Sequence, residues 1–594
     1  MCGIIAYVNN KSGISAASFE KMRDTMSHRG PDGKGAQYFE ENRVALGHRR
    51  LSIVDLTDLS AQPMSDTQQS VWITFNGEIY NFKELKEELC QKYTFKSTGD
   101  TEVLIYGYKE WGIDKLLTKL NGMFAFCIWD NYKKKLFVAR DRVGIKPVYY
   151  YKDEKTFIFS SELKAITAFP QFKKVLSEEG LSSYFSYRYI IAPYTIYKNC
   201  FKLKPGHYLT YDFATNNTEE TTYWTLNATK TDNEPDIEKL NAILDKAVKF
   251  RVETADVPVH TFLSGGIDSS LITAFSKQYN TNLHAYSIEV EDEHKNEIKD
   301  AEYVANHLKV ALKQEKLNAT LFDTMHNEVI SKYDEPLADT SCIPTYFLCK
   351  LAAKHVKVAL SGDGGDELFY GYSWYAKYLE EATTDCSLEK YLSFWLNTLR
   401  GDTLNKILPN NKSNEIEKEF LAKLGDETLS PENAHLLDYH TFMVDNILTK
   451  VDVASMANSL EVRVPFLDHN LVQAAFSISA AAHFKNNELK YGLKKIAEKK
   501  LPKKTIYKKK QGFSVPSVSW ISVDYEYNIK EGYASKDGVW NKEAISQLLK
   551  TKLHEEQKWL LYNFERWYAI HFHEQKTPLK PHVLKKIKKW MLKK

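Results

Sequence analysis

The glycine-rich stretch 264–270 has the residue types of a phosphate-binding loop. It reads Ser-Gly-Gly-Ile-Asp-Ser-Ser, after an apolar run at 257–261 that predicts a strand and before one from Leu271 that predicts a helix. Glycines let the backbone approach an anion, a helix N-terminus favours negative charge, and the hydroxyls of Ser264, Ser269 and Ser270 can donate. The alternative interpretation is a Gly-Ser turn between a strand and a helix.

An acid, Asp268, stands among these hydroxyls, and the lysine of the G-x-x-x-x-G-K-[ST] phosphate loop is missing. A carboxylate repels phosphate unless a cation lies between them, so Asp268 predicts Mg²⁺ bound with the nucleotide. A second loop, Ser-Gly-Asp-Gly-Gly-Asp-Glu at 361–367, follows a predicted strand at Lys357–Leu360. Because ligands bind at the carboxyl ends of parallel strands, the two loops predict one ATP·Mg²⁺ site with Asp268 and Asp366 as metal ligands.

A different chemistry is indicated at the start of the chain, where Cys2 follows the initiator Met1. Removal of Met1 would leave an α-amino group beside the thiol. Such an amine titrates at about 7.7–8.0, so it can act as the base for a nucleophile in the same residue. The alternative is a small packing residue, the usual role of a free cysteine.

Three later clusters have the residue types that a thiol acting in acyl transfer would need. Arg50, in 47–55, could clamp a substrate carboxylate through two parallel hydrogen bonds. The Asn76 amide and the Gly77 N–H, in 75–81, could donate to a developing oxyanion. The acids of Thr98–Glu102 could hold a substrate ammonium. Each cluster alone has an ordinary alternative, a surface ion pair for Arg50 and a hairpin turn for Asn-Gly.

The elements that must position Cys2 and these clusters form a predicted β-rich domain at 1–215. Its short apolar runs separated by turn signals predict strands, and three amphipathic stretches predict helices, which together indicate sheets covered by helices. The predicted strands are Ile4–Val8, Val71–Phe75, Met123–Trp129, Leu136–Ala139, Val148–Tyr151 and Phe157–Ser160, and the predicted helices are Ala16–Met26, Phe82–Lys92 and Thr101–Trp111.

A polar, turn-rich linker is predicted at 216–236, and a second domain at 237–575. After a helix at Ile237–Arg251, strands and helices alternate, which predicts a doubly wound parallel sheet. The strands are Leu283–Val290 and Val356–Leu360, with a helix at Asp300–Leu308 between them. Residues 370–530 are mostly helical in pattern, including Thr449–Leu460 and Leu471–Ile478.

The composition limits the function classes. The chain has 594 residues, 43% hydrophobic and 26% charged, which fits two to four globular domains. No apolar run approaches the ~18 residues of a membrane helix, and the N-terminus lacks a signal-peptide pattern. Seven cysteines without a C-x-x-C pair indicate neither structural zinc nor a disulfide framework, so a cytoplasmic location is expected. The net charge of +3 does not indicate a nucleic-acid partner.

Met1-Cys-Gly-Ile4 together with the three clusters resembles the glutaminase domain of class II glutamine amidotransferases, which are N-terminal-nucleophile hydrolases. Further matching motifs are His28–Gly33, Gly122–Phe126, Ala139–Gly144 and Ser161–Lys164. The resemblance implies an αββα-layered α+β domain that cleaves glutamine to glutamate and ammonia. By this resemblance Cys2 is the nucleophile and Asn76 and Gly77 form the oxyanion hole. The implied glutamine-binding residues are Arg50, Ile53, Asn76, Gly77, Glu78 and Asp100.

The Ser-Gly-Gly-x-Asp-Ser-Ser motif resembles the ATP-pyrophosphatase family, with an α/β domain that carries helical additions. Joined to a glutaminase half and to Val462–Asp468, it resembles the glutamine-hydrolysing asparagine synthetases over the full length. In that family a carboxylate attacks the ATP α-phosphate, and ammonia then displaces AMP from the acyl-adenylate. The implied ATP-binding residues are Leu263, Ser264, Gly265, Gly266, Asp268, Ser269, Ser270, Ile288, Ser361 and Gly362. Lys490 would stabilise charge on the reacting phosphate.

Two features depart from the pattern of asparagine makers. The third residue of the second loop is Asp363 where the family usually has Glu, and this carboxylate is the base for the incoming ammonium. A shorter arm moves it by about one bond length, and a displacement of that size can matter. The segment Tyr333–Ser341, near the expected acceptor, also differs. Both features are similar to those of relatives in envelope-polysaccharide pathways.

The predicted function is therefore ATP-dependent, glutamine-hydrolysing formation of asparagine from aspartate. The open alternatives are amidation of another carboxylate such as a sugar acid, a non-catalytic glutamine or nucleotide sensor, and a glutaminase whose second domain is structural. The expected partners are glutamine, ATP and the acceptor, with a homodimer as one option. The tail 576–594 contains eight lysines and no acid, which is typical of a solvated terminus or of a basic helix on an anionic membrane.

Overall fold

The computed structural model describes residues 1–226, 230–231, 234–292, 296–381, 387–424, 429–485, 488–508, 512–513 and 515–575. The tail 576–594 and parts of the predicted linker 216–236 lie outside the described residues. None of the helices in these ranges is long and apolar enough to cross a membrane.

The N-terminal half is built from two antiparallel sheets. Its strands are β1 (Gly3–Asn9), β2 (Gly33–Phe39), β3 (Val44–Arg50), β4 (Met64–Ser65), β5 (Val71–Ile79), β6 (Gly122–Asp130), β7 (Lys135–Arg140), β8 (Tyr149–Lys152), β9 (Thr156–Ser160), β10 (Cys200–Lys202), β11 (His207–Asp212) and β12 (Asn217–Thr222). The described chain orders them β10-β8-β9-β1-β3-β2 in one sheet and β12-β11-β7-β6-β5-β4 in the other. Because β12 pairs with β11, the second sheet continues to Thr222, beyond the division expected at 215.

Helices cover the outer faces of both sheets. They are α1 (Ala16–Asp24), α2 (Phe82–Leu89), α3 (Thr101–Lys119), α4 (Leu163–Thr167) and α5 (Glu178–Tyr187), with a 3₁₀ turn at Asp58–Ser60. The predicted helix Thr101–Trp111 corresponds to the first part of α3, which is interrupted at Gly112 (φ 75°).

Strand β1 shows why this half forms four layers. Its residues are all buried, and successive side chains point to opposite faces of a sheet. Ile4, Ala6 and Val8 belong to the apolar cluster between the two sheets, whereas Ile5 and Tyr7 belong to the cluster that contains α1 and α4. A strand buried on both faces needs a continuous apolar run, which β1 has. The predicted αββα layering is confirmed.

The C-terminal half contains a parallel sheet in the order β15-β14-β13-β16-β17. The strands are β13 (Val259–Phe262), β14 (His284–Val290), β15 (Ala311–Leu317), β16 (Val358–Leu360) and β17 (Glu461–Arg463). Strand order reverses between β13 and β16, which pair in parallel with Thr261 opposite Leu360. Loops 264–270 and 361–367 therefore leave adjacent strand ends at a topological switch point, as predicted for a doubly wound sheet.

Many helices complete this half, as the sequence pattern predicts. They are α6 (Ile237–Glu253), α7 (Ile267–Tyr279), α8 (Ile298–Leu308), α9 (Ala319–Ile330), α10 (Cys342–Ala353), α11 (Gly365–Leu368), α12 (Ser373–Glu381), α13 (Leu388–Ser393), α14 (Gly401–Ile407), α15 (Ser413–Leu424), α16 (Pro431–Asp438), α17 (Thr449–Met456), α18 (His469–Phe476), α19 (Ala480–His483), α20 (Tyr491–Ala497), α21 (Lys503–Ile506), α22 (Ser517–Trp520), α23 (Tyr525–Glu531), α24 (Tyr533–Lys536), α25 (Lys542–Leu548) and α26 (Glu555–His573). A π-helix, Tyr439–Leu448, precedes α17, and a 3₁₀ turn, Pro465–Leu467, precedes α18.

A buried arginine joins the two halves. The Arg29 guanidinium donates to Asp452 of α17 through Nη1 (2.8 Å) and Nη2 (3.2 Å), and to Glu162 (2.9 Å). Its Nε donates to the Cys2 carbonyl (3.0 Å). Arg29 is 0% exposed, so its charge depends on these partners for compensation.

We expect Arg29→Met to lower the free energy of unfolding by about 3–5 kcal/mol, because it leaves buried carboxylates without this cation. Urea denaturation followed by tryptophan fluorescence measures the change. The control is Arg400→Met, which breaks the partly exposed pair with Glu417 and is expected to cost about 1 kcal/mol or less. Equal losses in the two variants would contradict a special role for the buried pair.

Candidate active sites

The backbone of Cys2 is fixed on both sides at the start of β1. Its N–H donates to Oδ1 of Asn76 on β5 (2.8 Å), and its carbonyl accepts from Arg29. Cys2 is only 9% exposed, and burial raises the pKa of its thiol, with the nearby N-terminal ammonium opposing the shift. The predicted nucleophile and the predicted oxyanion donor are therefore neighbours.

The amide nitrogen of Asn76 is available for a ligand. Nδ2 is buried and has no hydrogen-bond partner among the described residues, although buried donors are rarely left unpaired. The next residue, Gly77, adopts φ 151°, and a Cβ there would lie 2.1 Å from the Met123 carbonyl oxygen. Only glycine fits this position. An unpaired N–H beside a thiol is the arrangement that an oxyanion hole requires.

Asp55, which the sequence analysis did not single out, connects Arg50 to the segment that carries Asp100. The Arg50 guanidinium donates to the carbonyl of Thr57 (2.8 Å) and to that of Asp55. The Asp55 carboxylate accepts from the Thr98 N–H (2.8 Å), two residues before Asp100. Ile53, also a predicted ligand, is 2% exposed on the same segment.

One of the acidic residues near Cys2, Glu461, comes from the C-terminal half of the chain. Burial raises the pKa of Asp100 to about 6, although its carboxylate accepts from the Ile79 N–H (2.9 Å). Burial and then the Glu461 carboxylate raise the pKa of Glu78, which lies 3.3 Å from Arg463. Glu461 was missed by sequence reasoning, although it is two residues before Arg463, on the same face of β17.

Met1 occupies the space next to this acid group. Its ammonium lies 3.1 Å from Glu461, and the residue is 2% exposed. Its side chain belongs to the buried apolar cluster that includes Leu51, Ile53 and Tyr80. With Met1 in place, the nitrogen of Cys2 is an amide that donates to Asn76, so it cannot act as a base.

A cavity of about 590 Å³ lies at the switch point of the parallel sheet, within the usual size range of ligand pockets. Most residues predicted for the ATP site line it. They are Leu263, Ser264, Gly266, Asp268, Ser269, Ile288, Ser361, Gly362, Asp363, Asp366 and Lys490. Gly265 and Ser270 do not; Gly265 lies against the backbone of Asp300 and Ala301, and Ser270 is fully buried in α7.

The two loops touch at a point where a side chain would not fit. A Cβ on Gly362 would lie 2.7 Å from the Ser269 nitrogen, in the first turn of α7. The second loop is further supported by a hydrogen bond from the Ser361 N–H to the Arg463 carbonyl (3.0 Å). The loops therefore form one surface.

Lys490 lies at one side of the surface formed by the two loops. Its ammonium lies 2.5 Å from Asp268 and 2.6 Å from Asp366. Burial disfavours the charged lysine, but the two carboxylates outweigh it and raise its pKa. A charged lysine between the two loops can stabilise a developing phosphate charge, the role that the sequence resemblance implies.

The convergence of Asp268 and Asp366 on one ammonium also tests the magnesium expectation. Oxygen ligands that meet at one cation beside a phosphate loop suit Mg²⁺, which usually takes one or two carboxylates together with substrate phosphates and water. Within the described ranges, no group of three or more His, Cys, Asp or Glu side chains could hold a metal. The two acids therefore fit a metal that arrives with the nucleotide.

Three further cavity residues were missed by sequence reasoning: Asp339, Ser341 and Lys450. Lys450 donates to Asp339 (3.2 Å) and to the Ser341 hydroxyl (2.8 Å). No motif marks these three residues in the sequence. Asp339 and Ser341 lie in the unusual segment Tyr333–Ser341, and Lys450 lies in the helix predicted at Thr449–Leu460.

Each half of the chain matches a known protein family. A family model described as a glutamine amidotransferase domain matches residues 1–224, and one described as asparagine synthase matches residues 239–569. The protein is similar to asparagine synthetase [glutamine-hydrolyzing] 1 of Bacillus subtilis (strain 168), with 32% identity over 97% of this chain and 98% of the relative.

Two further relatives give the same result. Asparagine synthetase [glutamine-hydrolyzing] 3 of Bacillus subtilis (strain 168) is 32% identical over 93% of this chain and 94% of the relative. A putative asparagine synthetase [glutamine-hydrolyzing] of Mycobacterium tuberculosis (strain ATCC 25618 / H37Rv) is 29% identical over 97% of this chain and 98% of the relative. The chain therefore belongs to the glutamine-hydrolysing asparagine synthetase family.

Proposed function

We propose that this chain makes asparagine by transferring the amide nitrogen of glutamine to aspartate that ATP has activated. One observation carries the proposal: the same fold holds a thiol beside the unpaired Asn76 amide nitrogen and a nucleotide-sized cavity between two glycine-rich loops. The names of the similar proteins supply the reaction that uses both centres.

At the first centre, excision of Met1 turns the Cys2 nitrogen into an amine and frees the space that Met1 fills. The amine takes the thiol proton, and the sulfur attacks the carboxamide carbon of glutamine. Asn76 Nδ2 and the Gly77 N–H stabilise the oxyanion. Ammonia leaves, and water then hydrolyses the thioester to glutamate. Arg50 binds the glutamine α-carboxylate, and Asp100, with Glu78 nearby, binds its ammonium.

At the second centre, ATP lies along the loops 264–270 and 361–367. The aspartate side-chain carboxylate attacks the α-phosphate, and pyrophosphate leaves. Lys490 stabilises the negative charge that develops on the reacting phosphate. Ammonia then attacks the acyl carbon, AMP leaves, and Asp363 takes the surplus proton. Burial raises the pKa of Asp363, and Asp366 adds to the rise while Lys450 opposes it, which makes this carboxylate a better base.

Mg²⁺, held by Asp268 and Asp366 together with ATP, would neutralise phosphate charge. Both acids are paired with Lys490, so the lysine ammonium compensates part of their charge.

An acceptor screen tests the function. The full chain is incubated with ATP, MgCl₂ and ammonium, and pyrophosphate release is measured with aspartate, glutamate, a uronic acid or no acid. We expect pyrophosphate, AMP and asparagine in equal amounts with aspartate. Release with the uronic acid but not aspartate would favour sugar-acid amidation, and no release with any acid would favour a sensor or a plain glutaminase.

We predict that Cys2→Ala and an N-terminal extension both abolish glutamine-dependent synthesis, because each removes the free thiol-amine pair. Synthesis from added ammonium should continue in both, since the cavity at the switch point is untouched. The control is the same extension at the C-terminus, expected to retain both reactions. Glutamine hydrolysis by the N-terminally extended chain would refute the role of the amine.

Asn76→Ala is expected to lower kcat for glutamine hydrolysis by about 10²–10³-fold, because it removes an oxyanion donor. The variant Asn81→Ala is a matched control, since Asn81 bonds to the Lys119 carbonyl and the Asn121 N–H instead of to Cys2. Glutamate release measures both. A loss confined to KM in Asn76→Ala would assign this residue to ground-state binding.

A further inference from the structure

One wall of the nucleotide cavity carries a cation that the proposed mechanism does not use. Lys450, in the first turn of α17, lines this cavity together with Asp363, and its side chain is 9% exposed. A buried lysine at a ligand site either belongs to a structural ion pair or contacts the ligand. The hydrogen bonds made by Lys450 and its partners distinguish between these two roles.

The Lys450 ammonium has three N–H groups, and two of them have partners in the described chain. These are Asp339 Oδ2 (3.2 Å) and Ser341 Oγ (2.8 Å). One N–H remains for a group in the cavity.

Asp339, by contrast, has no acceptor capacity left. A carboxylate accepts about four hydrogen bonds. Asp339 accepts from the Ser341 N–H (2.8 Å), the Ser341 hydroxyl (2.6 Å), Asn446 (3.1 Å) and Lys450. It is therefore a positioning residue that holds the lysine, and the lysine is the group free to bind a ligand.

The lysine is charged when it meets that ligand. Burial disfavours the ammonium, but the Asp339 and Asp363 carboxylates outweigh burial and raise the pKa of Lys450. Burial would raise the pKa of Asp339, but the Lys450 charge and the two hydrogen bonds from Ser341 lower it to about 2. The pair therefore stays ionised across the physiological pH range.

We propose that Lys450 binds the second, non-reacting carboxylate of the acceptor, so that the site selects a dicarboxylic acid over an acid with one anionic group. This inference rests on the proposed function, because it assumes that the reacting carboxylate lies in the same cavity, near Asp363 and the ATP α-phosphate. Asp363 and Lys450 then contact opposite ends of one small molecule. For aspartate, Lys450 binds the α-carboxylate while the side-chain carboxylate reacts.

Two acceptors that differ only in the second carboxylate measure the contribution of this contact. Aspartate and 3-aminopropanoate share the reacting carboxylate and the ammonium, but 3-aminopropanoate lacks the carboxylate assigned to Lys450. Pyrophosphate release, with ammonium as the nitrogen source, gives kcat/KM for each. In the wild-type chain we expect aspartate to be preferred by about 10- to 100-fold, the range for a hydrogen bond to a charged group.

In Lys450→Met this preference should fall to about 3-fold or less, mainly through a rise in the KM for aspartate. The KM for ATP and the rate of glutamine hydrolysis should stay unchanged. Lys450→Arg should keep most of the preference because it keeps the cation. Lys494→Met removes another lysine of the cavity and should leave the preference intact.

The double variant Lys450→Met, Asp339→Asn removes both charges, so it covers the case in which the unpaired Asp339 prevents folding of the single variant. A wild-type preference that persists in Lys450→Met or in the double variant would overturn the inference and leave the proposed function standing. A rise in the KM for ATP instead would assign Lys450 to the nucleotide and also overturn it. No pyrophosphate release from the wild-type chain with aspartate would overturn both.

Discussion

Arg463 makes a physical connection on which both centres depend. Its side chain, 0% exposed, pairs with Glu461 on its own strand and with Glu78 at the thiol centre. Its carbonyl oxygen accepts the Ser361 N–H at the start of the second phosphate loop. A buried guanidinium cannot lose its partners without a large cost in free energy, so its position is fixed. The end of β17 therefore sets where both centres lie relative to the parallel sheet.

Arg29 makes a second connection, from the other side. It holds the Cys2 carbonyl and the Asp452 carboxylate, and Asp452 is two residues after Lys450 in α17. The backbone of Cys2 and the helix that carries Lys450 are thus attached to one network of buried charges. Because charges are buried between the two halves, few orientations of one half relative to the other have low energy. This suits two reactions in which the ammonia released by one is used by the other.

The geometry of the parallel sheet explains why the nucleotide centre needs so few special residues. Strand ends at a switch point diverge and leave a crevice, so two loops with glycines at their contact are enough to line it. Lys490 satisfies Asp268 and Asp366 in the crevice. The same arrangement places two carboxylates where phosphates would bind, and a magnesium ion with ATP would compensate the charge of both.

The sequence by itself determined the fold class and the family, and it predicted most of the residues that the structure brings together at the two centres. Local patterns carry this information: an apolar run for a strand buried on both faces, glycines where backbones touch, and Cys2, Asn76 and the two loops in recognisable motifs. The tertiary structure alone decided which charges pair. Glu461 at the thiol centre and the pair of Lys450 with Asp339 join segments far apart in sequence, so no spacing predicts them. It also decided that Gly265 and Ser270 do not line the cavity and that Met1 fills the space beside Cys2, because burial and ion pairing depend on the whole fold.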